Sequence, residues 1–272
     1  MKNPKISVLM PVYNSARYLK VSVQSILNQT FKDFEFIIVD DMSFDKSWKI
    51  IKDLAKKDKR IVTFKNAKHL RTTKSLNIGL AIAKGKYIAR MDADDWSYPD
   101  RLEKQFKFME THPEVGVSGG SIEVCDKKLK ILNIRRYPLD DLKVRRIIFR
   151  FSPFAHPATI WRKKILDQVG GYNENIPLSQ DYELYFRIGR ICKFGNIQDI
   201  LIKLRTHDDS SSIIVGKYQE QFTLYTRIKA YLELGYNMST FDKIYTFLQI
   251  ISMLVIPPKI KFWIFNFIRR II

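Results

Sequence analysis

Cysteine is scarce in this sequence: Cys125 and Cys192 are the only two, with no metal-ligand spacing between them. Disulfide stapling is therefore not expected, which suits a reducing cytosol. Glycine-rich phosphate loops are missing as well. No G-x-G-x-x-G follows the first apolar run and no G-x-x-x-x-G-K-[ST] occurs, which disfavours dinucleotide oxidoreductases and P-loop enzymes. No apolar run is long enough to cross a bilayer as a helix. Residues 1–14 read as one short strand broken by Pro11, not as a signal peptide. Acidic residues are few beside basic ones, 28 against 47, for a formal charge of +19. That balance favours anionic partners: nucleic acid, an anionic membrane face or phosphorylated substrates. What is present is globular: 272 residues, 46% of them hydrophobic, enough for one large domain or two small ones.

The apolar runs alternate in period. Continuous runs at 5–10, 34–39, 61–64 and 87–91 read as buried strands. Between them, residues at helical spacing predict helices over 18–27, from Asp45 onward, and over 75–83. Strands alternating with helices mean an α/β fold, a mostly parallel sheet covered on both faces. A helix over about 100–111, a strand at 115–118, a hairpin over 121–134 turning at Asp126-Lys127, and a helix starting at Gln180 follow.

Carboxylates gather at the predicted strand ends. The run 87–91 stops at Met91-Asp92-Ala93-Asp94-Asp95, and 34–39 stops at Asp40-Asp41. In an extended chain residues two apart point the same way, so Asp92 and Asp94 share a face. Paired carboxylates repel unless a proton or cation sits between them. Oxygen donors suit Mg²⁺ or Mn²⁺, and Mg²⁺ commonly takes one or two protein carboxylates plus substrate phosphates. In parallel sheets ligands collect at the carboxyl ends of strands. The alternative for the triplet is a solvated acidic turn opening the next helix. A calcium loop fits less well, because Trp96 and Ser97 stand where a ligand and the turn glycine belong.

Six segments in order resemble family 2 glycosyltransferases of the GT-A fold: 7–14 (SVLMPVYN), 25–30 (SILNQT), 39–43 (VDDMS), 76–79 (LNIG), 91–95 (MDADD) and 179–184 (SQDYEL). The resemblance implies inverting transfer from a nucleotide-diphospho-sugar donor, UDP-linked by preference, with a divalent metal. It implies that Pro11, Val12 and Tyr13 line the nucleobase pocket, with Tyr13 stacking on the base. Asp41 would accept from the base, with Met42 standing where the family often has glycine. Lys74 would face the donor, and Asn77 and Gly79 would hold their helix against the strand ending at Asp92. Asp92-Ala93-Asp94 matches the family's D-x-D, with Asp94 the direct metal contact and Asp92 on ribose or a metal-bound water. Residues 204–207 resemble the segment carrying a late metal-side histidine, His207. Asp181 matches the general base, with Glu183 as runner-up. Residues 156–159 resemble the strand bordering the acceptor cleft, where Trp161 is either core or a sugar-stacking face. Arg135-Arg136 and Arg145-Arg146 would pair with an acceptor phosphate or be solvated.

Residues 1–215 are thus expected to form the catalytic domain, donor half about 1–115 and acceptor half about 116–215. Residues 216–272 form a helical extension outside the resemblance: an amphipathic helix over 221–234, an all-round apolar one over 241–256, a break at Pro257-Pro258, then a basic and aromatic end. Wound as a helix, that end puts Lys259, Asn266, Arg269 and Arg270 opposite Ile260, Ile264, Phe267 and Ile268, the pattern of an interfacial membrane helix. The expected setting is cytoplasmic, at the inner face of the cell membrane, with a glycan or lipid-linked acceptor and no nucleic acid. The competing readings are a basic nucleic-acid-binding protein and an inactive GT-A-like protein.

Overall fold

The structure, a computed structural model, describes residues 3–207 and 216–255. Its first part alternates as the periodicity predicts: β1 (Ile6–Val12), α1 (Ala16–Leu27), β2 (Phe34–Asp40), α2 (Ser47–Ala55), β3 (Ile61–Lys65), α3 (Arg71–Ile82) and β4 (Tyr87–Arg90). There follow β5 (Trp96–Ser97), α4 (Arg101–Thr111), β6 (Val115–Cys125), β7 (Ile131–Arg135), α5 (Asp141–Ile147), β8 (Ile160–Arg162), α6 (Lys163–Val169), α7 (Gln180–Ile188) and β9 (Lys193–Arg205). Two further helices, α8 (Gly216–Glu233) and α9 (Thr240–Val255), close the described chain.

These nine strands join one sheet, in the order β3-β2-β1-β4-β8-β6-β9-β5, with β7 paired to β6. β1 pairs in parallel with β2 and β4, β2 with β3, and β6 with β9; β8, β5 and β7 run the other way. The sheet is buried on both faces because its strands alternate side chains. Val8, Met10, Phe36 and Ile38 pack toward α1, α2 and α4, while Leu9, Ile37, Val39 and Ile88 pack toward α3 and α7. The register aligns Val12 with Asp40 and Leu9 with Arg90, so the carboxyl ends of β2, β1 and β4 lie side by side. That edge carries the candidate site.

Several local expectations change. α3 starts at Arg71, a turn before the expected Ser75, because Asp41 collects the free backbone N–H groups of Leu70 and Arg71 at 2.7 Å each. Gly79 holds α3 against β1, not β4: a methyl there would sit 2.1 Å from Leu9 Cδ1. Asn77 instead reaches across to Tyr172, accepting from its N–H at 2.9 Å and donating to its carbonyl at 2.9 Å. The expected short strand at 115 runs on to Cys125 before the hairpin. The long strand β9 has no periodicity to announce it, since Gly195, Asn196 and Gln198 interrupt its apolar residues. Trp161 is fully buried and stacked on Tyr185 at 5.3 Å, so it is core and offers no sugar face. Arg145 is held by Asp141 at 2.8 Å and by the Gly189 carbonyl at 2.7 Å.

Candidate active site

At the end of β1, Pro11 and Val12 lead into Tyr13, which is 43% exposed. Its ring lies 4.1 Å from the His69 ring and edge-on to Phe44 at 6.1 Å. At the end of β2, Asp41 is buried and its carboxylate fully used. Oδ1 accepts from Asn66 Nδ2 and Leu70 N at 2.7 Å; Oδ2 accepts from Arg71 N at 2.7 Å and faces His69 Nδ1 at 2.9 Å. Asp41 therefore fixes the 66–71 loop and sets His69 beside Tyr13. Sequence reasoning missed Asn66 and His69, which no motif or spacing marks. Lys74 stands further along α3, 3.9 Å from Glu174. With Lys68, Arg71, Thr73 and Pro177 these two line a cavity of about 400 Å³.

Four residues around this edge have positive φ without being glycine: Asn14 (47°), Met42 (62°), Arg71 (68°) and Ser179 (58°). Each neighbours a candidate residue: Tyr13, Asp41, the 66–71 loop or Asp181. Met42 takes the left-handed conformation for which glycine is the cheap choice, which accounts for the glycine common there in the resembled family.

At the end of β4 the acidic triplet divides its work. Asp92 Oδ1 accepts from Arg90 Nη2 at 2.6 Å, and its carbonyl accepts from Ser22 Oγ at 2.7 Å. Arg90 is buried and also donates to the Met91 carbonyl. Ala93 is buried in the core on the α1 side. Asp94 Oδ2 meets His207 Nε2 at 3.0 Å, and the Asp94 carbonyl accepts from Arg205 Nε at 2.6 Å. Asp95 points inward, accepting from Arg205 N at 2.8 Å through Oδ1. The end of β9 thus clamps the triplet and delivers His207 to it. Burial, then the charge of Asp92, raises the Asp94 carboxyl above its usual range. Burial raises Asp95 further, with the charges of Asp94 and Asp92 adding to it. Beneath, the buried Arg101 donates to the Arg90 carbonyl at 2.7 Å, and burial pulls its guanidinium down to about 9.

Asp181 sits in the first turn of α7, after the left-handed Ser179. Burial pushes its carboxyl up to about 6, Arg90 pulls it back and Asp92 pushes it further, so the three share one electrostatic centre. The wall behind is the His156–Tyr172 pair, Nε2 to hydroxyl at 2.7 Å. Burial holds His156 well below its ordinary value, so it is neutral, and raises the Tyr172 phenol. Glu183 is spent on Arg187 at 2.8 Å and is structural. Arg90 is a third residue that sequence reasoning passed over, a charge inside a strand whose four residues are all buried.

A divalent metal fits the residues present. Asp94 and His207 supply a hard oxygen and an imidazole nitrogen already in contact, and the raised Asp94 carboxyl is what a buried site short of positive charge produces. Among the described residues no group of three His, Cys, Asp or Glu side chains converges. Such a metal would therefore depend on donor phosphates for the rest of its shell.

Residues 7–170 match the family model described as Glycosyl transferase family 2. The chain is 38% identical over 232 residues to the uncharacterized glycosyltransferase MJ1057 of Methanocaldococcus jannaschii, covering 83% of this chain and 79% of that one. It is 32% identical over 224 residues to the O-antigen biosynthesis glycosyltransferase WbnJ of Escherichia coli, covering 79% and 85%. In fold it is similar to S. aureus TarS 1–349 in complex with UDP-GlcNAc, with a TM-score of 0.68 at 19% identity, covering 92% and 72%. It is also similar to the mannosyltransferase PcManGT from Pyrobaculum calidifontis, in complex with GDP-Man and Mn²⁺, with a TM-score of 0.66 at 15% identity, covering 94% and 71%. At these identities the likeness is one of fold, the GT-A fold.

Proposed function

The chain belongs to glycosyl transferase family 2 and is a glycosyltransferase; from that premise we propose that it moves a sugar, with inversion, from a nucleotide-diphospho-sugar to a hydroxyl of a surface glycan or lipid-linked acceptor. The observation that carries this reading is the pairing of two unlike acidic centres. Asp94 with His207 forms one at the end of β4, and the raised Asp181 forms the other across Arg90 and Asp92.

Tyr13 offers the donor base a stacking face beside His69, with Pro11 next to it in the chain, whereas Val12, expected to line the pocket, is buried in the core and only backs it. UDP is the preferred nucleotide. Asp41 acts on the base through the loop it holds, since its own oxygens are occupied. Lys74, beside Lys68 and Arg71, draws the diphosphate toward the edge by charge. Asp94 and His207, with Asp92 alongside, would hold Mg²⁺ or Mn²⁺, which when bound neutralises charge growing on the departing diphosphate. Asp181 takes the acceptor hydroxyl proton. The oxygen so freed bonds to the anomeric carbon as the carbon–oxygen bond to the diphosphate breaks, and the proton stays on Asp181 until solvent removes it. A carboxyl near 6 is matched to that task at neutral pH: ionised at rest, yet basic enough to accept.

We assign residues 1–215 to catalysis, donor side first and acceptor side after about 116, and 216–272 to a peripheral contact with the inner face of an anionic membrane. The interfacial helix expected over 259–270 lies outside the described residues. Among the described residues no helix is long and apolar enough to cross a membrane. The test of activity is transfer from a panel of UDP-, GDP- and dTDP-sugars with and without Mn²⁺. One donor should be transferred and Asp181→Asn should cut that transfer by about 10²–10⁴-fold; transfer near the wild-type rate in Asp181→Asn would refute the base assignment.

A further inference from the structure

α9 is built inside out. Its inward side carries Asp242 and Thr246, both buried, and Gln249. Asp242 pairs with Arg150 at 3.0 Å and receives Ser239 Oγ at 2.6 Å; Gln249 accepts from the buried Arg227 at 2.5 Å. Arg227 in turn donates to Tyr182 on α7 at 3.0 Å, tying the helix to the catalytic body. The outward side is Phe241, Ile244, Phe247, Leu248, Ile251 and Val255, spaced as one helical face. Phe247 is 62% exposed and Val255 73%. A soluble helix normally has the opposite arrangement, so this face is suited to meet something apolar.

We propose that the outward face of α9 lies in the headgroup–acyl boundary of an anionic bilayer and holds the enzyme to it. Three observations select a bilayer over a second copy. The chain carries +19, so two copies repel where an anionic surface attracts. A basic side chain flanks the stripe: the exposed Lys243 lies over the Tyr231 ring at 5.1 Å. The sequence directly beyond α9 continues in the same style, basic with aromatic, through Lys259, Lys261, Trp263, Arg269 and Arg270. The polar network on the inner side fixes which face is presented, so binding needs no rearrangement of the body. This deepens the membrane contact proposed above by naming its surface, and it does not depend on the transfer chemistry.

The test is sedimentation of the full chain with vesicles of phosphatidylcholine, alone or with one quarter phosphatidylglycerol, for wild type and for Phe247→Asp/Leu248→Asp. The substituted side chains are exposed, so folding should be kept, and an unchanged far-ultraviolet circular dichroism spectrum checks it. Wild type is expected to partition at least tenfold better onto anionic than onto neutral vesicles, and the variant to lose at least tenfold. Phe247→Trp keeps the stripe apolar, and its added fluorescence should be quenched by brominated lipid. An unchanged partition in the aspartate variant, or no added quenching in Phe247→Trp relative to wild type, would overturn the α9 assignment while leaving membrane contact through 256–272 standing. Wild type ignoring both vesicle types would sink both. A concentration-dependent dimer that the aspartate variant dissolves would assign the face to a second copy instead.

Discussion

At the scale of single residues, Asp181 is both the proposed base and a cost. Its carboxyl is raised to about 6 by burial, against an ordinary 3.8. Because the folded state holds the proton more tightly than the unfolded one, stability falls as pH rises from about 3.8 to about 6, and the loss is complete above that. Asp181→Asn should therefore raise the stability of the metal-free protein at pH 7 by about 1–2 kcal/mol, the gain vanishing below about pH 4. Urea unfolding at the two pH values measures it. The same variant should lose transfer by about 10²–10⁴-fold. In wild type kcat/KM should climb with pH to a plateau, with a midpoint near 6 if the free enzyme keeps the apo value. A flat profile across that midpoint would count against Asp181 as base. Met42 gives a second case. It is half exposed and left-handed, so Met42→Gly should add about 0.5–1 kcal/mol by relieving φ strain. Thermal denaturation would show the sign.

At the scale of elements, Asp41 and Gly85 do the joining. Asp41 ends β2, caps α3 and fixes the 66–71 loop through hydrogen bonds of 2.7 Å. Asp41→Ala would strand those donors and should cost about 2–4 kcal/mol in urea, even without donor. A variant that loses donor binding with full stability would show instead that Asp41 meets the base directly. Gly85 precedes β4 where a methyl would sit 2.4 Å from the Ser7 backbone nitrogen, so Gly85→Ala should cost about 1–3 kcal/mol by prying β1 from β4. The first four strands and their helices were legible because a parallel sheet buried on both faces leaves continuous apolar runs. The later part was legible in pieces: α4, the β6–β7 hairpin and the start of α7 were read, and β5, β8 and β9 were not. β8 has three residues, β5 two, and β9 mixes glycine and amides with its apolar positions, so their pairing is decided across the sheet and not along the chain. Of the site, Asp41, Asp92 and Asp94 announced themselves by position at strand ends, and Asp181 only through the family resemblance. Their partners Arg90, His69 and Asn66 did not, since a lone polar residue carries no period.

At the scale of the whole molecule, charge and architecture pull in separate directions. The basic excess is spread along the chain, while the acidic residues that matter converge at one edge of the sheet. A field of that kind would steer the proposed anionic donor to an edge where a cation would offset the carboxylates. α9, tied to α7 through Arg227, places the apolar stripe on the same body as Asp181.

Asp94 is proposed to serve the donor's metal while Asp181 serves only the acceptor. That division of roles is measured most directly by calorimetric titration of the donor identified by the transfer panel, with and without Mn²⁺, into wild type, Asp94→Asn and Asp181→Asn. Binding should depend on Mn²⁺, weaken at least tenfold in Asp94→Asn, a loss of about 1.4 kcal/mol, and stay within about twofold in Asp181→Asn. Equal loss in both variants, or full binding by Asp94→Asn in Mn²⁺, would contradict it.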